Sequence, residues 1–116
     1  MSLPNLTFLD LSQNKLSEIS KMPVFQQLRV LILSKNFIDT IENLQELPAL
    51  DVLDLTDNRI LKMENLKGLN NLRILNLSNN LITALDLPYT LKSLQELNLR
   101  KNFISEIRDN ISLPAL

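Results

Sequence analysis

Histidine, cysteine and tryptophan are absent from these 116 residues, and glycine occurs once, at Gly68. Without Cys there are no disulfides and no thiolate metal sites. Without His the commonest general base and metal ligand is missing, and a Ser–His catalytic pair is excluded. A single glycine cannot build a phosphate-cradling loop. Lys and Arg number 12 against 13 Asp and Glu, a net charge of −1, so no basic field awaits nucleic acid. No apolar run is long enough to cross a bilayer, and Met1-Ser2 leads straight into a regular pattern with no signal peptide. The expectation is a soluble, cytoplasmic, non-catalytic chain of one domain, without cofactor, metal, nucleic acid, membrane or small-molecule substrate. Apolar residues make up 45% of the chain but aromatics only 4%, so the core must be aliphatic.

What is present is repetition. "LRVLILSKNFI" at Leu28 to Ile38 is followed by "LDVLDLTDNRI" at Leu50, "LRILNLSNNLI" at Leu72 and "LQELNLRKNFI" at Leu94. Asn recurs at 14, 36, 58, 80 and 102, and Leu at 6, 28, 50, 72, 94 and 116, always 22 residues apart. Such a spacing predicts a stack in which each unit meets only its neighbours. Within a unit, alternation as at Leu53 and Leu55 predicts a short strand. The three-residue rhythm of Ile60, Met63, Leu66 and Leu69 predicts a return arm of 3₁₀ or irregular turns. The inward set reads Leu6, Leu9, Leu11, Leu16, Ile19, Met22 and Phe25 in the first unit. Every later unit keeps Leu, Ile, Met or Phe there except at Pro88 and Asn110, where Leu87 and Ile111 stand one residue off register. The arms there, as in "DLPYTLKSL" at Asp86 to Leu94, are expected to differ locally.

The recurrent Asn lies just after each strand, where the turning backbone loses its ladder partners. An inward Asn supplies both donors and an acceptor. Asn14, Asn36, Asn58, Asn80 and Asn102 are therefore predicted to form an internal ladder.

The frame L-x-x-L-x-L-x-x-N-x-[LI], in five in-phase copies, resembles the leucine-rich repeat family from Leu3 to Leu116. The 22-residue period, with "IENLQELPAL" at Ile41 and "MENLKGLNNL" at Met63, is similar to a mostly intracellular subclass. That subclass is seen in a regulatory subunit of protein phosphatase 1 and in axonemal dynein-associated proteins. "LNLRKNFISEIRDNISLPAL" at Leu97 to Leu116 resembles repeat proteins of cilia and microtubules, including the repeat subunit of the tubulin polyglutamylase complex. The resemblance implies an α/β solenoid with a parallel sheet on its concave face and 3₁₀ or irregular arms on its convex face. It implies protein binding on the concave face and no catalysis by the repeats, in a cytoplasmic setting that is ciliary, axonemal or cytoskeletal. The alternative is an extracellular or bacterial surface recognition domain binding a host protein. Against it, Glu42-Asn43 and Glu64-Asn65 stand where those repeats favour Thr and Pro.

Strand residues that do not point inward form three outward columns. The central one is Asp10, Ile32, Asp54, Asn76 and Asn98. Ser12, Ser34, Thr56, Ser78 and Arg100 run on one side, and Phe8, Val30, Val52, Ile74 and Glu96 on the other. The last column is apolar as far as Ile74, which fits a contact surface or simply β-branched strand residues. Beyond each Asn stand Lys15, Phe37, Arg59, Leu81 and Phe103. Phe37 and Phe103 read equally well as interface aromatics or as rings lying flat on neighbouring aliphatic side chains. The candidate partner-binding set is Phe8, Asp10, Ile32, Ser34, Phe37, Asp54, Thr56, Asn76, Ser78, Asn98, Arg100 and Phe103. Arg29, Asp51 and Arg73 share a column and read as a solvated salt-bridge ladder. Asp51, Asp54 and Asp57 gather acid on one repeat, which fits a basic partner segment better than calcium. Sequons at Asn5, Asn76 and Asn110 arise readily in a chain rich in Asn, Leu and Ser.

The five repeats start at residues 6, 28, 50, 72 and 94, and Leu116 opens a sixth. Polar caps over the terminal cores are missing. Leu9, Leu11 and Leu16 at one end, and Leu97, Leu99 and Ile104 at the other, are expected to lack full cover. This reads as a fragment of a longer repeat domain, able to associate end to end.

Overall fold

The computed structural model describes residues 5–85 and 91–107. Pro88, Asn110, Leu87 and Ile111, with the off-register arms expected around them, lie outside the described residues. The strands are β1 Phe8–Asp10, β2 Val30–Ile32, β3 Val52–Asp54, β4 Ile74–Asn76, β5 Ala84–Leu85, β6 Glu96–Asn98 and β7 Glu106–Ile107. Five of them form one parallel sheet in the order β1-β2-β3-β4-β6. Leu9, Leu31, Leu53, Leu75 and Leu97 stand beside one another in its central row. Each strand begins one sequence period after its neighbour, so the expected columns are real rows of side chains about 4.8 Å apart.

The alternating pattern explains the burial. Leu31, Leu53 and Leu75 are fully buried, while the outward residues of β2, β3 and β4 are half-buried. Behind the sheet, Ile38, Ile41, Leu44, Leu47 and their equivalents close an aliphatic core in which, among the described residues, Phe25 supplies the only aromatic ring. Each such side chain contributes roughly 1.5–3 kcal/mol by leaving water. Leu9, Leu11 and Leu16, and Leu97, Leu99 and Ile104, are only partly buried, as expected of the outermost coils.

The return arms are of the irregular kind, and no α-helix occurs among the described residues. They proceed by loose turns in which an N–H reaches the carbonyl three residues back: Leu47 to Leu44, Leu50 to Leu47, Leu69 to Leu66 and Leu72 to Leu69. That spacing explains the three-residue apolar rhythm, since each turn returns a Leu to the core. Asn43 and Asn65 brace two of these arms. Each donates from its amide across to the preceding coil, to the carbonyls of Ile19 and Ile41, both at 2.7 Å. Further along, the arms of the last two described coils pair their backbones as a small parallel sheet, β5 with β7.

Four of the five recurrent Asn side chains, at 36, 58, 80 and 102, bond between coils, and Asn14 does not. Asn58 accepts from the Ile38 N–H at 3.0 Å and donates to the carbonyls of Leu33, Leu55 and Thr56 at 3.0, 3.1 and 3.2 Å. Asn36 and Asn80 repeat the pattern, and all three are buried. Asn102 keeps the bonds to Ile82 and Leu77 but is half-buried. Asn14 is exposed and reaches only Leu11 and Ser12 of its own turn.

Immediately before each ladder Asn, the backbone enters the left-handed region. Gln13, Lys35, Asp57, Asn79 and Lys101 have φ between 55° and 59°. None is glycine, so Gln13, Lys35 and Lys101 carry strain of roughly 1–2 kcal/mol each. The sharp turn is held by bonds between coils: the N–H groups of Gln13, Lys35, Asp57 and Asn79 donate to Ser34, Thr56, Ser78 and Arg100.

Candidate protein-binding surface

The sheet face presents the expected central column, and the structure gives that column a second role. The Oδ1 atoms of Asp10, Asp54, Asn76 and Asn98 each accept the N–H two residues on, at Ser12, Thr56, Ser78 and Arg100, over 2.9 to 3.1 Å. These side-chain turns steer the chain out of each strand toward its left-handed residue. The Thr56 hydroxyl also donates to Asp54 at 2.6 Å. At Asp10, Ser12 holds the carboxyl below its ordinary range by hydrogen bonding through its hydroxyl and then its backbone N–H. Ile32 lacks an acceptor and breaks the column with an apolar, half-buried side chain. Polar identity in this column therefore serves the fold as well as any partner.

Thr56, Ser78, Asn98 and Arg100 are brought together around one shallow cleft of about 260 Å³, with Asp57, Asn79 and Lys101 at its rim. Phe37 and Phe103 meet at a second cleft of about 320 Å³ along the edge where strands end, with Arg59, Leu81 and Lys101. Phe8, Asp10, Ile32, Ser34, Asp54 and Asn76 line neither cleft. Phe8 is 56% exposed, Phe37 44% and Phe103 66%. The Arg59 guanidinium stacks over Phe37, 4.7 Å from its ring centre. That ring thus rests beneath a cation rather than on the aliphatic edge alone.

Two charge readings need correction. The Arg29–Asp51–Arg73 ladder exists, but Asp51 is not solvated: its side chain is only 12% exposed. It lies between two coils, where Arg73 closes a bidentate fork on it, Nε to Oδ1 at 2.6 Å and Nη2 to Oδ2 at 2.9 Å. Arg29 stands further off, at 3.7 Å. The Arg73 hydrogen bonds, followed by the charges of Arg73 and Arg29, outweigh burial and hold the Asp51 carboxyl below its usual range. The same pairing raises Arg73. Nor do Asp51, Asp54 and Asp57 act together. Asp51 faces the edge where strands begin, Asp54 is bonded to Thr56 on the sheet, and Asp57 accepts from Asn79 at 2.6 Å on the opposite edge. Among the described residues no group of three acidic side chains could hold a metal ion.

Sequence reasoning also missed Asn71, Lys92 and Gln95, which join Arg29, Asp51 and Arg73 around an open cleft of about 580 Å³. The signal was available: Gln95 continues the Arg29, Asp51 and Arg73 column one period on, and Asn71 and Lys92 stand just ahead of that column.

Comparison with protein-family models matches the Leucine rich repeat family over residues 4–60 and Leucine Rich repeats (2 copies) over residues 70–113. The chain belongs to the leucine-rich repeat family. Domains of this family are in general protein–protein interaction modules without catalytic activity. A comparison with curated proteins gives no match.

Proposed function

We propose that this chain is a non-catalytic scaffold or regulatory subunit. In this reading it binds a protein partner across the sheet face and the adjoining edge where the strands end. One observation carries the reading: three of the chain's four phenylalanines are exposed there, although the core has a position for such a ring at Phe25. Aromatic side chains are enriched at the energetic centres of interfaces. Phe37, Leu81 and Phe103 share one column at the stack spacing, so a single partner segment can meet all three. The polar turns of Asp54, Asn76 and Asn98 leave one side-chain atom each facing outward, enough for a polar rim. The likeness of the repeats to phosphatase-regulatory and axonemal proteins supports a cytoplasmic placement in a ciliary or microtubule-associated complex.

The test is quantitative affinity capture from a ciliated-cell lysate with the wild-type chain, an Asp54→Arg/Phe103→Glu variant, and a control altered on an arm, Lys67→Glu. The expected result is a set of proteins retained by wild type and control and lost by the double variant. Axonemal or tubulin-modifying proteins within that set would support the placement. Equal capture by all three chains would overturn the assignment of the binding face.

A further inference from the structure

The cleft where the strands begin stands apart from the sheet face, and its chemistry is different. Arg29, Arg73 and Lys92 border it, against one acid, Asp51. Asp51 is already saturated by the Arg73 fork, which leaves the far side of that guanidinium uncommitted. Arg29 is 66% exposed and only loosely paired, its guanidinium 3.7 Å from the Asp51 carboxylate that Arg73 already holds. Lys92 has no ion-pair partner among the described residues. The cleft therefore keeps a surplus of two positive charges on a chain whose net charge is −1.

The strand starts offer an anion no backbone donor. The N–H groups of Arg29, Asp51, Arg73 and Gln95 all donate along the sheet, to Thr7, Arg29, Asp51 and Arg73. A phosphate site normally uses a nest of free N–H groups, and this row supplies none. What remains are side-chain cations, including planar forks that match carboxylates. Between them stand two amides. Asn71 donates to Pro48 at 3.1 Å, leaving its oxygen free to accept. The Gln95 side chain makes no hydrogen bond among the described residues. An acceptor and a donor–acceptor amide are the groups that read a peptide backbone. Among the described residues no aromatic ring lines the cleft for a base to stack on. Its volume falls in the usual range for ligand clefts, roughly 300–1,000 Å³.

We propose that the cleft framed by Arg29, Arg73 and Lys92 is a second binding site that takes an acidic peptide segment. Carboxylates of the segment meet the cations, and its backbone meets Asn71 and Gln95. Asp51 does not compete for the ligand. It holds Arg73 in place, so the outward half of the guanidinium is presented in a fixed orientation.

The test is a nuclear magnetic resonance titration of the full chain with hexaglutamate, hexaglutamine and inorganic phosphate. Low ionic strength is used, where screening lengths reach about 30 Å. Hexaglutamate should move the Arg73 side-chain Nε–H, the Gln95 and Asn71 side-chain amides, and the backbone around Ser93. Hexaglutamine should not. Arg29→Ser/Lys92→Ser should weaken hexaglutamate about tenfold, equivalent to about 1.4 kcal/mol. Lys62→Ser/Lys67→Ser removes the same two charges from a return arm and should leave binding unchanged. Both pairs are exposed and lie outside the core, so folding is retained. Equal weakening by both variants would show diffuse attraction and overturn the site. So would hexaglutamate shifts clustered elsewhere. Phosphate binding at these residues tighter than hexaglutamate would overturn the peptide assignment.

Discussion

Replacing Asn58 with alanine removes one side chain and strands one buried donor. The Ile38 N–H loses its acceptor, while the carbonyls of Leu33 and Leu55 each lose one of two amide donors and keep those of Asn36 and Asn80. Ile38 and Leu55 are fully buried and Leu33 is 2% exposed, so bulk water does not reach them without opening the turn. An unsatisfied buried group costs about 1–3 kcal/mol. The N–H is the severe case, because a carbonyl with two lone pairs tolerates under-satisfaction better. Partial wetting of the vacated space offsets some of the loss. The expected cost is therefore about 1–3 kcal/mol for Asn58→Ala. Asn14→Ala breaks only two exposed local bonds and should stay within about 0.5 kcal/mol, the usual range for surface changes. Asn102→Ala should fall between, since Asn102 keeps both inter-coil bonds at half burial. Urea unfolding followed by far-ultraviolet circular dichroism gives the three values, compared at constant m. An Asn14 loss equal to the Asn58 loss would refute the reasoning, as would an Asn58 loss of a few tenths. Either result would mean that the ladder shares a phase without joining the coils.

The fork on Asp51 makes stability depend on acid. Its folded pKa is lowered, so its contribution is complete above the unfolded value, near pH 4, and disappears as pH falls through the folded value. Thermal melts from pH 6 to pH 2 should therefore show a smaller acid-side decline for Asp51→Asn than for wild type; identical slopes would count against the fork. At Lys35 the left-handed backbone favours glycine, and the exposed side chain makes no hydrogen bond among the described residues. Lys35→Gly should raise the urea midpoint, by about 0.5–1 kcal/mol after the larger unfolded-state entropy of glycine is subtracted. A lowered midpoint would show that the turn is unstrained.

Much of the fold was legible because its signals are periodic and apolar. The alternation at Leu53 and Leu55 located β3, and the same phase located the other four strands of the main sheet. The Asn ladder was legible because a polar residue fixed at one phase beside a Leu row needs internal partners. The left-handed turns were not, because Gln13, Lys35 and Lys101 are not residue types that announce a positive φ. The small β5–β7 sheet was hidden because it pairs residues 84–85 with 106–107 in the return arms, where the three-residue rhythm predicts turns. Among candidate contact residues, exposure at Phe8, Phe37 and Phe103 followed from their lying outside the inward set. The turn-forming role of Asp10, Asp54, Asn76 and Asn98 did not, since one residue type serves equally in recognition and in side-chain turns. The burial of Asp51 depends on how closely two arms approach across a strand edge, which a column of charges alone does not specify.

The side-chain bonds of the ladder join residues 20 and 25 positions apart at every level of the stack. Every coil thus closes a ring of nearly constant size onto the coil before it. Closure entropy rises only with the logarithm of ring length, about 0.6 kcal/mol per doubling. Here the ring does not lengthen as coils are added. The tenth coil of such an array would meet the same entropic barrier as the second. Relative contact order falls as the array grows, since the separation between touching residues is fixed while the chain lengthens. Topology alone would then not slow the folding of a longer array, in contrast to sheets whose partner strands lie far apart in sequence.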